Sequence, residues 1–445
     1  MMSDLYYDLV APWWDLLSPD LQDGLVLVIA LLPCLIAGLL VLRGMRPFAL
    51  VKAMLWQFRG SNLVFILLIA VSVALGVGLI AQERGLRKGT ARAAEKFDLV
   101  VAAPGSELTN VLATVYLQAA DMPLLDGKLY NSIASHEQVE FAAPIAFGDS
   151  FKGAPVIGTT ARFIRHLSGD LAEGNLFAQD YEAVLGADVP LTLGERFTPA
   201  HGHGEAADAD AHAGAAFVAT GRMKKTGSPW DQAILVPVEA VWLVHGLGNG
   251  HGFDEPNRLG PPFDAAAFPG TPAILVHAKQ LWANYALKNQ FTNRESMAYF
   301  PGAVLSQLHN VLGDVREIMS IMAVVTQVLV TAGVLTGLVI LTKLFSRRLA
   351  LLRAVGAPRR FLFSIVWTFA AVLICAGSLL GILLGFATVQ IISGIVTART
   401  NILVESTLGW PEFHLVAAFV SLTVCLAMIP AFLALRRPVI ADLRG

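Results

Sequence analysis

Five long apolar stretches constrain this chain more than any other feature of its sequence. A helix needs about 20 mostly apolar residues to cross the hydrocarbon core of a bilayer, and each of the five stretches comes close to that length or exceeds it. Only 15% of the residues are charged, against about 25% in an ordinary soluble domain. The sequence therefore predicts an α-helical membrane protein with five spans, Gly24–Leu42, Leu63–Ile80, Ile318–Leu344, Phe363–Ile391 and Phe413–Leu435.

The distribution of Lys and Arg predicts the orientation of these spans, because short cytoplasmic loops retain positive charge. Residues 1–23 contain no Lys or Arg, so we expect the first stretch to be a permanent helix with its N-terminus outside, rather than a cleaved leader. Six basic residues lie between positions 343 and 360, and three lie after position 435, which makes both segments cytoplasmic. The basic residues at positions 84–96 run against this orientation, but long translocated domains largely escape the charge rule.

Small residues recur four positions apart within three of the predicted spans. This spacing lets helix backbones approach closely where lipid provides no hydrophobic drive for association, although glycine is also simply frequent in membrane helices. No Asp, Glu, Arg or His lies in the middle of a span, which argues against a polar conduction path. The predicted helix-packing residues are Ser72, Gly76, Gly333, Gly337, Gly377, Gly381 and Gly385.

The region between the second and third spans holds more than half of the chain and reads as a mixed α/β domain. Gln82–Lys96 and Pro301–Ile318 are predicted as helices that continue the neighbouring spans and form a two-helix stalk. Short alternating or β-branched runs between them predict strands. These runs are Phe97–Ala102, Val139–Ala146, Ala215–Ala219, Ala233–Pro237 and Ala273–His277.

We expect two long loops, Pro199–Gly214 and Gly246–Phe268. Histidines concentrate in these two stretches and at the position directly before the second one. Imidazole and carboxylate groups are suitable zinc ligands, and short His-rich tracts recruit metal. The spacing of the histidines fits no rigid tetrahedral site. Two interpretations of the His-rich tract therefore remain, a solvated linker and a segment that captures metal transiently. The candidate metal ligands are His201, His203, His212, His245 and His251.

Several kinds of chemistry find no support in the sequence. The single Gly-Lys pair, Gly127-Lys128, is followed by Leu129, so the phosphate-binding loop of an ATPase is missing. No zinc-protease motif and no nucleophile elbow occur. A net charge of -2 argues against nucleic-acid binding. We therefore expect no enzyme activity in this chain and no cofactor of its own.

The order of parts resembles the FtsX/MacB-like permeases of type VII ABC transporters over roughly residues 48–445. The segment RLALLRAVGAPRR at 348–360 is similar to the family's coupling segment, LVKAMLWQFR at 50–59 to its amphipathic entry helix, and FDLVVAAPG at 97–105 to its first exported strand. Two features depart from the family, namely Arg348 where Glu is common and the additional first span.

This resemblance implies a permease subunit of the bacterial inner membrane that transmits the motion of a separate ATPase, with its bound ATP and Mg²⁺, to a periplasmic domain. It implies a dimer, for which we favour a homodimer although heterodimers also occur in the family, and an optional periplasmic binding or adaptor protein. A basic amphipathic helix can wedge into a groove of such an ATPase, or lie on anionic lipid instead. The predicted coupling residues are Arg348, Leu349, Leu352, Arg353 and Val355.

The resulting division of the chain follows from the spans, the charge pattern and the resemblance. It gives a periplasmic N-terminus at 1–23, spans at 24–42, 63–80, 318–344, 363–391 and 413–435, a cytoplasmic amphipathic helix at 43–62, the periplasmic domain with its stalk at 81–317, the coupling helix at 345–362, a periplasmic loop at 392–412 and a cytoplasmic tail at 436–445.

Two other functions fit the same sequence. One is a permease for zinc uptake that uses the His-rich loop, since the chain also resembles permeases that accompany periplasmic zinc-binding proteins. The other is a membrane-anchored receptor or scaffold without an ATPase. The sequence does not specify the substrate, the direction of transfer or the identity of the ATPase.

Overall fold

A computed structural model provides the structure of the chain and describes residues 14, 16–118, 120–201, 215–252, 258–400, 404 and 407–435. At residues 201, 309–320, 323, 341–348, 400 and 434–435 it describes the backbone alone. The chain divides into two compact units. The helical unit comprises Met1–Gly85, Asp314–Ser393 and Ser406–Gly445, and the α/β unit comprises Leu86–Gly313 and Gly394–Glu405.

Long apolar helices dominate the part of the chain that the structure assigns to the helical unit. Within the described residues, four helical segments are long and apolar enough to cross a membrane: Pro19–Leu42, Arg59–Ala94, Arg359–Arg399 and Trp410–Leu433. Outside the sheet region, the described part of the chain forms the helices α1 (Pro19–Leu42), α2 (Phe48–Gln57), α3 (Arg59–Ala94), α9 (Pro301–Ala354), α10 (Arg359–Thr400), α11 (Trp410–Leu426) and α12 (Met428–Leu435).

The predicted span Ile318–Leu344 lies within α9, a single helix of 54 residues. Its apolar part with described side chains, Val324–Ile340, is shorter than a span because neighbouring side chains lie outside the described residues. The general prediction of a membrane protein with a mixed α/β domain is confirmed, whereas the fifth span stays a prediction.

The core of the helical unit is formed by side chains from α3, α10 and α11, with contributions from the other helices. Trp367 of α10 donates its indole N–H to the carbonyl of Val424 in α11, at 3.1 Å. The same indole lies 3.4 Å from where a Cβ on Gly38 of α1 would stand. The additional first helix therefore packs against the helical core by way of a glycine.

The α/β unit contains one mixed sheet of eleven described strands. The strands are β1 (Leu99–Ala102), β2 (Val139–Phe151), β3 (Ala154–Thr159), β4 (Glu173–Gly174), β5 (Glu182–Leu185), β6 (Arg196–Phe197), β7 (Ala200–His201), β8 (Phe217–Arg222), β9 (Ile234–Pro237), β10 (Ala273–Ala278) and β11 (Met297–Tyr299). The order is β11-β1-β10-β2-β3-β9-β5-β8-β4, with β6 paired to β8 and β7 paired to β2. The β3–β9 and β5–β8 pairs are parallel and the others are antiparallel.

Both faces of this sheet are buried, which explains why its strands read as continuous apolar runs. Leu99 and Val101 of β1 point into one core, whereas Val100 between them points into the other. The short helices of the unit cover the two faces. They are α4 (Glu107–Thr114), α5 (Gly127–Ala134), α6 (Ala161–Ser168), α7 (Val238–Val244) and α8 (Ala283–Gln290).

Strand β2 extends through the middle of the sheet. It pairs with β10 along its first half and with β3 along its second half. The register shifts between Ala146 and Asp149, and the interruption contains Gly148 with a φ of 151°. A β-bulge of this kind turns a strand locally, so the one strand serves two differently oriented parts of the sheet.

Candidate functional site

Of the five predicted metal-binding histidines, the structure describes the side chains of His245 and His251, and these two lie in separate contacts. His203 and His212 lie outside the described residues. His201 is in β7, where its backbone pairs with Asp149 of β2. His245 follows α7, and its Nε2 lies 3.6 Å from Oδ1 of the same Asp149, whose side chain is buried.

His251 belongs to a separate buried pair. Its Nε2 lies 3.5 Å from Oε1 of Glu239 in α7, and both side chains are almost completely buried. The backbone N–H of Gly260 also donates to Oε1 of Glu239. Burial raises the pKa of Glu239 from its usual 4.5 to about 7, and the charge of Asp180 adds to the shift. This pair is a buried polar contact, and among the described residues it does not belong to a group of three converging ligand atoms.

A cleft of about 460 Å³ opens on the α/β unit next to His245. Its walls are mainly apolar, with Met122, Phe147, Trp242 and Leu247 among the lining residues. Trp242 is fixed there because its indole N–H donates to the carbonyl of Gly270 at 3.1 Å. The cleft is a rigid apolar depression with one imidazole at its edge, a form that suits an apolar group of a ligand or partner.

A second histidine cluster, which the sequence did not predict, brings together Asp98, His166 and His277. One carboxylate oxygen and one ring nitrogen from each histidine lie within 4.8 Å of one another. Asp98 Oδ2 is in direct contact with His277 Nδ1, and the two imidazole centroids are 4.5 Å apart. Within the described residues this is the one group of three or more His, Cys, Asp or Glu side chains with such convergence.

The pKa of His166 is lowered, chiefly because the ring is partly buried and secondly because His277 lies beside it. A hydrogen bond to the carbonyl of Lys96, at 3.0 Å from Nε2, acts in the opposite direction. Burial prevails, so the net shift of the His166 pKa is downward.

The predicted coupling residues lie on both sides of the end of α9, which is at Ala354. Leu349 is buried in the core of the helical unit, and Leu352 packs partly against it. Val355 follows the last helical residue and is 89% exposed. The chain turns there because Gly356 adopts a φ of 102°, a conformation that favours glycine after a helix. Arg353 is partly exposed, and the side chain of Arg348 lies outside the described residues.

Three of the predicted packing glycines in α10 lie against α3. A Cβ on Gly377 would come within 2.7 Å of Ile69, and one on Gly381 within 2.6 Å of Val73. A Cβ on Gly385 would come within 3.0 Å of Val77. The close approach of α3 and α10 therefore requires glycine, which has no side chain, at all three positions.

The other predicted packing residues make separate contacts. Ser72 of α3 donates a hydrogen bond to Gln327 of α9, at 2.9 Å. A Cβ on Gly76 would come within 2.9 Å of Leu415 in α11, and one on Gly337 would overlap the ring of Phe65. Gly333 has nothing within 4 Å of its Cβ position among the described residues.

An ion pair between α3 and the first turn of α11 was not predicted from the sequence. Arg84 of α3 donates to Glu412 of α11 at 2.9 Å, and the side chain of Glu412 is 2% exposed. Arg84 also donates to the carbonyl of Thr407. The basic residues at positions 84–96 thus include one with a structural role, although the predicted orientation treated them as one patch.

The helices and the sheet together define a membrane protein that carries a mixed α/β domain in its chain. No protein-family model matches the sequence, and no curated protein does. Among solved structures, the chain is similar to the periplasmic region of MacB from Actinobacillus actinomycetemcomitans. The sequences are 11% identical, the alignment covers 49% of this chain and 95% of the other, and the TM-score is 0.32.

Proposed function

We propose that this chain is the permease subunit of an ABC transporter of the FtsX/MacB-like type, working with a separate ATP-binding subunit. In this role the chain binds the ATPase at its cytoplasmic face and conveys the motion of ATP binding and hydrolysis to the α/β unit on the periplasmic side. The chain itself hydrolyses no ATP and holds no ATP or Mg²⁺.

The observation that carries this proposal is the end of α9. Val355 presents an apolar side chain that is 89% exposed, next to the basic residues Arg359 and Arg360 at the start of α10. An exposed apolar residue with flanking positive charge, held on the end of a rigid helix, suits the groove of a partner protein. The sequence around it is the stretch that most resembles the coupling segment of this family.

The remaining features of the proposal follow from the same architecture. An uninterrupted helix such as α9, at 54 residues, is about 80 Å long and exceeds the bilayer core of about 30 Å. Its middle part is proposed as the fifth span, with residues 81–317 and the N-terminus periplasmic and the tail cytoplasmic. Motion of the helices, rather than passage of a substrate between them, is favoured because no charged residue lies in the middle of a predicted span.

The test is affinity purification of the tagged full chain from membranes of its native host, followed by measurement of ATP hydrolysis in the eluate. We expect an ATP-binding subunit in the eluate and its loss with Val355→Asp. Leu352→Asp is a poorer probe, since Leu352 packs against the helical core and a charge there also disturbs folding. Leu281→Asp is the matched control, because Leu281 is 81% exposed and lies in the α/β unit.

Three outcomes are informative. Loss of the ATPase with Val355→Asp and its retention with Leu281→Asp supports the proposal. Retention with both variants would reject the end of α9 as the coupling site. Absence of any ATP-binding subunit from the wild-type eluate would favour a membrane-anchored receptor or scaffold. Cross-linking of two differently tagged copies in the membrane tests the proposed homodimer.

Zinc uptake is a second candidate, supported by three histidines, of which His201 ends β7 and His203 and His212 lie in the stretch that follows it. Substitution of His201, His203 and His212 by alanine tests it in cells grown under graded zinc chelation. We expect a growth defect that added zinc repairs if the stretch recruits metal. Growth equal to that of the parent strain would identify the stretch as a linker.

A further inference from the structure

Three elements of the α/β unit converge at the cluster of Asp98, His166 and His277. Asp98 directly precedes β1, and His277 is in β10, the antiparallel neighbour of β1. The register pairs Leu99 with Val276, which places Asp98 and His277 at the next step of the ladder. His166 approaches from α6. The contact thus arises from strand pairing and helix packing.

The position of His166 is fixed by the way α6 packs. Its neighbours Phe163, Ile164 and Leu167 are buried in one of the two cores, which sets the rotation of the helix. The hydroxyl of Thr160 accepts the N–H of Phe163 and caps the helix at its N-terminus. A side chain held by such packing keeps its position with little conformational freedom, as a ligand-binding group requires.

The second ring nitrogen of His166 is oriented by the backbone. Nε2 lies 3.0 Å from the carbonyl oxygen of Lys96, which only accepts a hydrogen bond. The proton of the neutral ring therefore resides on Nε2, and Nδ1 carries the free lone pair. Metal-binding histidines are oriented in this way by carbonyls and carboxylates behind them.

His277 has a comparable arrangement. Its Nδ1 contacts Asp98, while its Nε2 lies 3.7 Å from Oε2 of Glu140 in β2. Glu140 accepts a hydrogen bond from Arg162, at 3.0 Å. The ring of Phe141 is stacked on the His277 imidazole with 5.2 Å between centroids. With the carboxylate of Glu140 behind Nε2 and an apolar wall along the ring, Nδ1 is the nitrogen that faces Asp98 and the rest of the cluster.

We propose that Asp98, His166 and His277 bind a divalent transition-metal ion of the zinc type, with Glu140 orienting His277. Two imidazole nitrogens and one carboxylate oxygen form a ligand set typical of zinc, and a fourth position stays open to water or a substrate group. Metal–ligand distances of about 2.0–2.2 Å require ligand atoms about 3.4 Å apart. The three ligand atoms lie within 4.8 Å of one another, and the direct contact between Asp98 and His277 has to open by side-chain rotation for an ion to enter between them.

Access and selectivity follow from the surroundings. The side chains of Asp98 and His277 are 28% and 29% exposed, so an ion from solvent reaches them without local unfolding. Histidine nitrogens disfavour Ca²⁺ and Mg²⁺, which take oxygen ligands. The alternative to a metal site is a plain His–carboxylate contact that stabilises the edge of β1 and β10.

The test uses the purified full chain in detergent, stripped with a chelator and titrated with Co²⁺ as a spectroscopic substitute for Zn²⁺. The background carries His201→Gln, His203→Gln and His212→Gln, so that the His-rich stretch does not contribute. We expect one equivalent of Co²⁺ with the visible absorption of a four-coordinate site, displaced by one equivalent of Zn²⁺. His166→Gln and His277→Gln should each weaken binding more than about tenfold, and Glu140→Gln about tenfold.

His136→Gln is the control, since His136 is a half-buried histidine of the same unit that contacts Gln290 and lies outside the cluster. If His277→Gln alters the far-ultraviolet circular dichroism, Asp98→Asn and His166→Gln carry the test. Absence of binding, or binding unchanged in the cluster variants, would identify the cluster as an ion pair only. The measurement needs no ATPase, so its result is independent of the proposed transport function.

Discussion

The contact between α3 and α10 predicts a strong effect of a single methyl group at Gly381. A Cβ there would lie 2.6 Å from Cβ of Val73 and 2.8 Å from the carbonyl oxygen of Ala70. Non-bonded carbon atoms prefer separations of about 3.5–4.0 Å, so the two helices must separate by about 1 Å. Because one of the two atoms belongs to the backbone, a rotamer change of Val73 does not relieve the overlap.

The magnitude combines two opposing effects. Overpacking of this kind costs about 1–3 kcal/mol, whereas replacing glycine by alanine within a helix gains up to about 1 kcal/mol. We expect Gly381→Ala to destabilise the helical unit by about 1–2 kcal/mol. Gly377→Ala should be similar and Gly385→Ala milder, since the nearest atoms lie at 2.7 and 3.0 Å respectively.

The assay is heating of the detergent-solubilised protein followed by size-exclusion chromatography, with the midpoint of loss of the monodisperse peak as the readout. Gly394→Ala is the control in the same helix, because nothing lies within 4 Å of its Cβ position. Its midpoint should equal or slightly exceed that of the wild type. A midpoint for Gly381→Ala at or above that of Gly394→Ala would refute the close packing of α3 and α10.

Two further predictions concern charged groups. Arg84→Ala should lower the same midpoint, because it leaves the carboxylate of Glu412 buried without its cation. The loss of stability is roughly 2 kcal/mol for a pair that is partly exposed on the arginine side. Arg87→Ala, at an exposed position, should have no effect. Glu239 binds a proton more tightly in the folded than in the unfolded chain, so its stabilising contribution is complete below pH 4.5 and is lost as the pH rises through about 7. The free energy of unfolding should fall by up to roughly 3 kcal/mol over this range. Glu239→Gln should flatten that part of the stability profile of the α/β unit, and an unchanged profile would contradict the shift.

Much of the architecture was readable from the sequence because single-segment patterns determine it. Each of the five predicted strand runs overlaps an observed strand, β1, β2, β8, β9 or β10. Both faces of the sheet are buried, so the strands appear as uninterrupted apolar runs that are easily found. Short strands such as β4 and β6, with two residues each, carry no such pattern and were not predicted.

The candidate sites were less readable because they depend on contacts between distant segments. Asp98 and His277 are 179 positions apart in the chain, and only the pairing of β1 with β10 brings them together. The histidine prediction relied on local density in the sequence and therefore selected positions 201–251. No single-segment pattern identifies a site whose ligands come from two strands and a helix.

The coupling segment illustrates a different limit. Leu349, Leu352 and Val355 are the apolar members of the predicted coupling residues, and their spacing of three positions is typical of one face of a helix. The helix ends at Ala354, so the third residue leaves the periodic pattern and points away from the core that holds the first two. Periodicity predicts a shared face only as far as the helix extends.

The stretch of residues 202–214 connects two strands that are both held by the same sheet, β7 through β2 and β8 through β5. Its two ends are therefore anchored independently of what lies between them. Loop closure costs only about 0.6 kcal/mol for each doubling of length. This connection is accordingly a place where an epitope, a fluorophore or a small reporter domain can be inserted with little loss of stability in the surrounding fold.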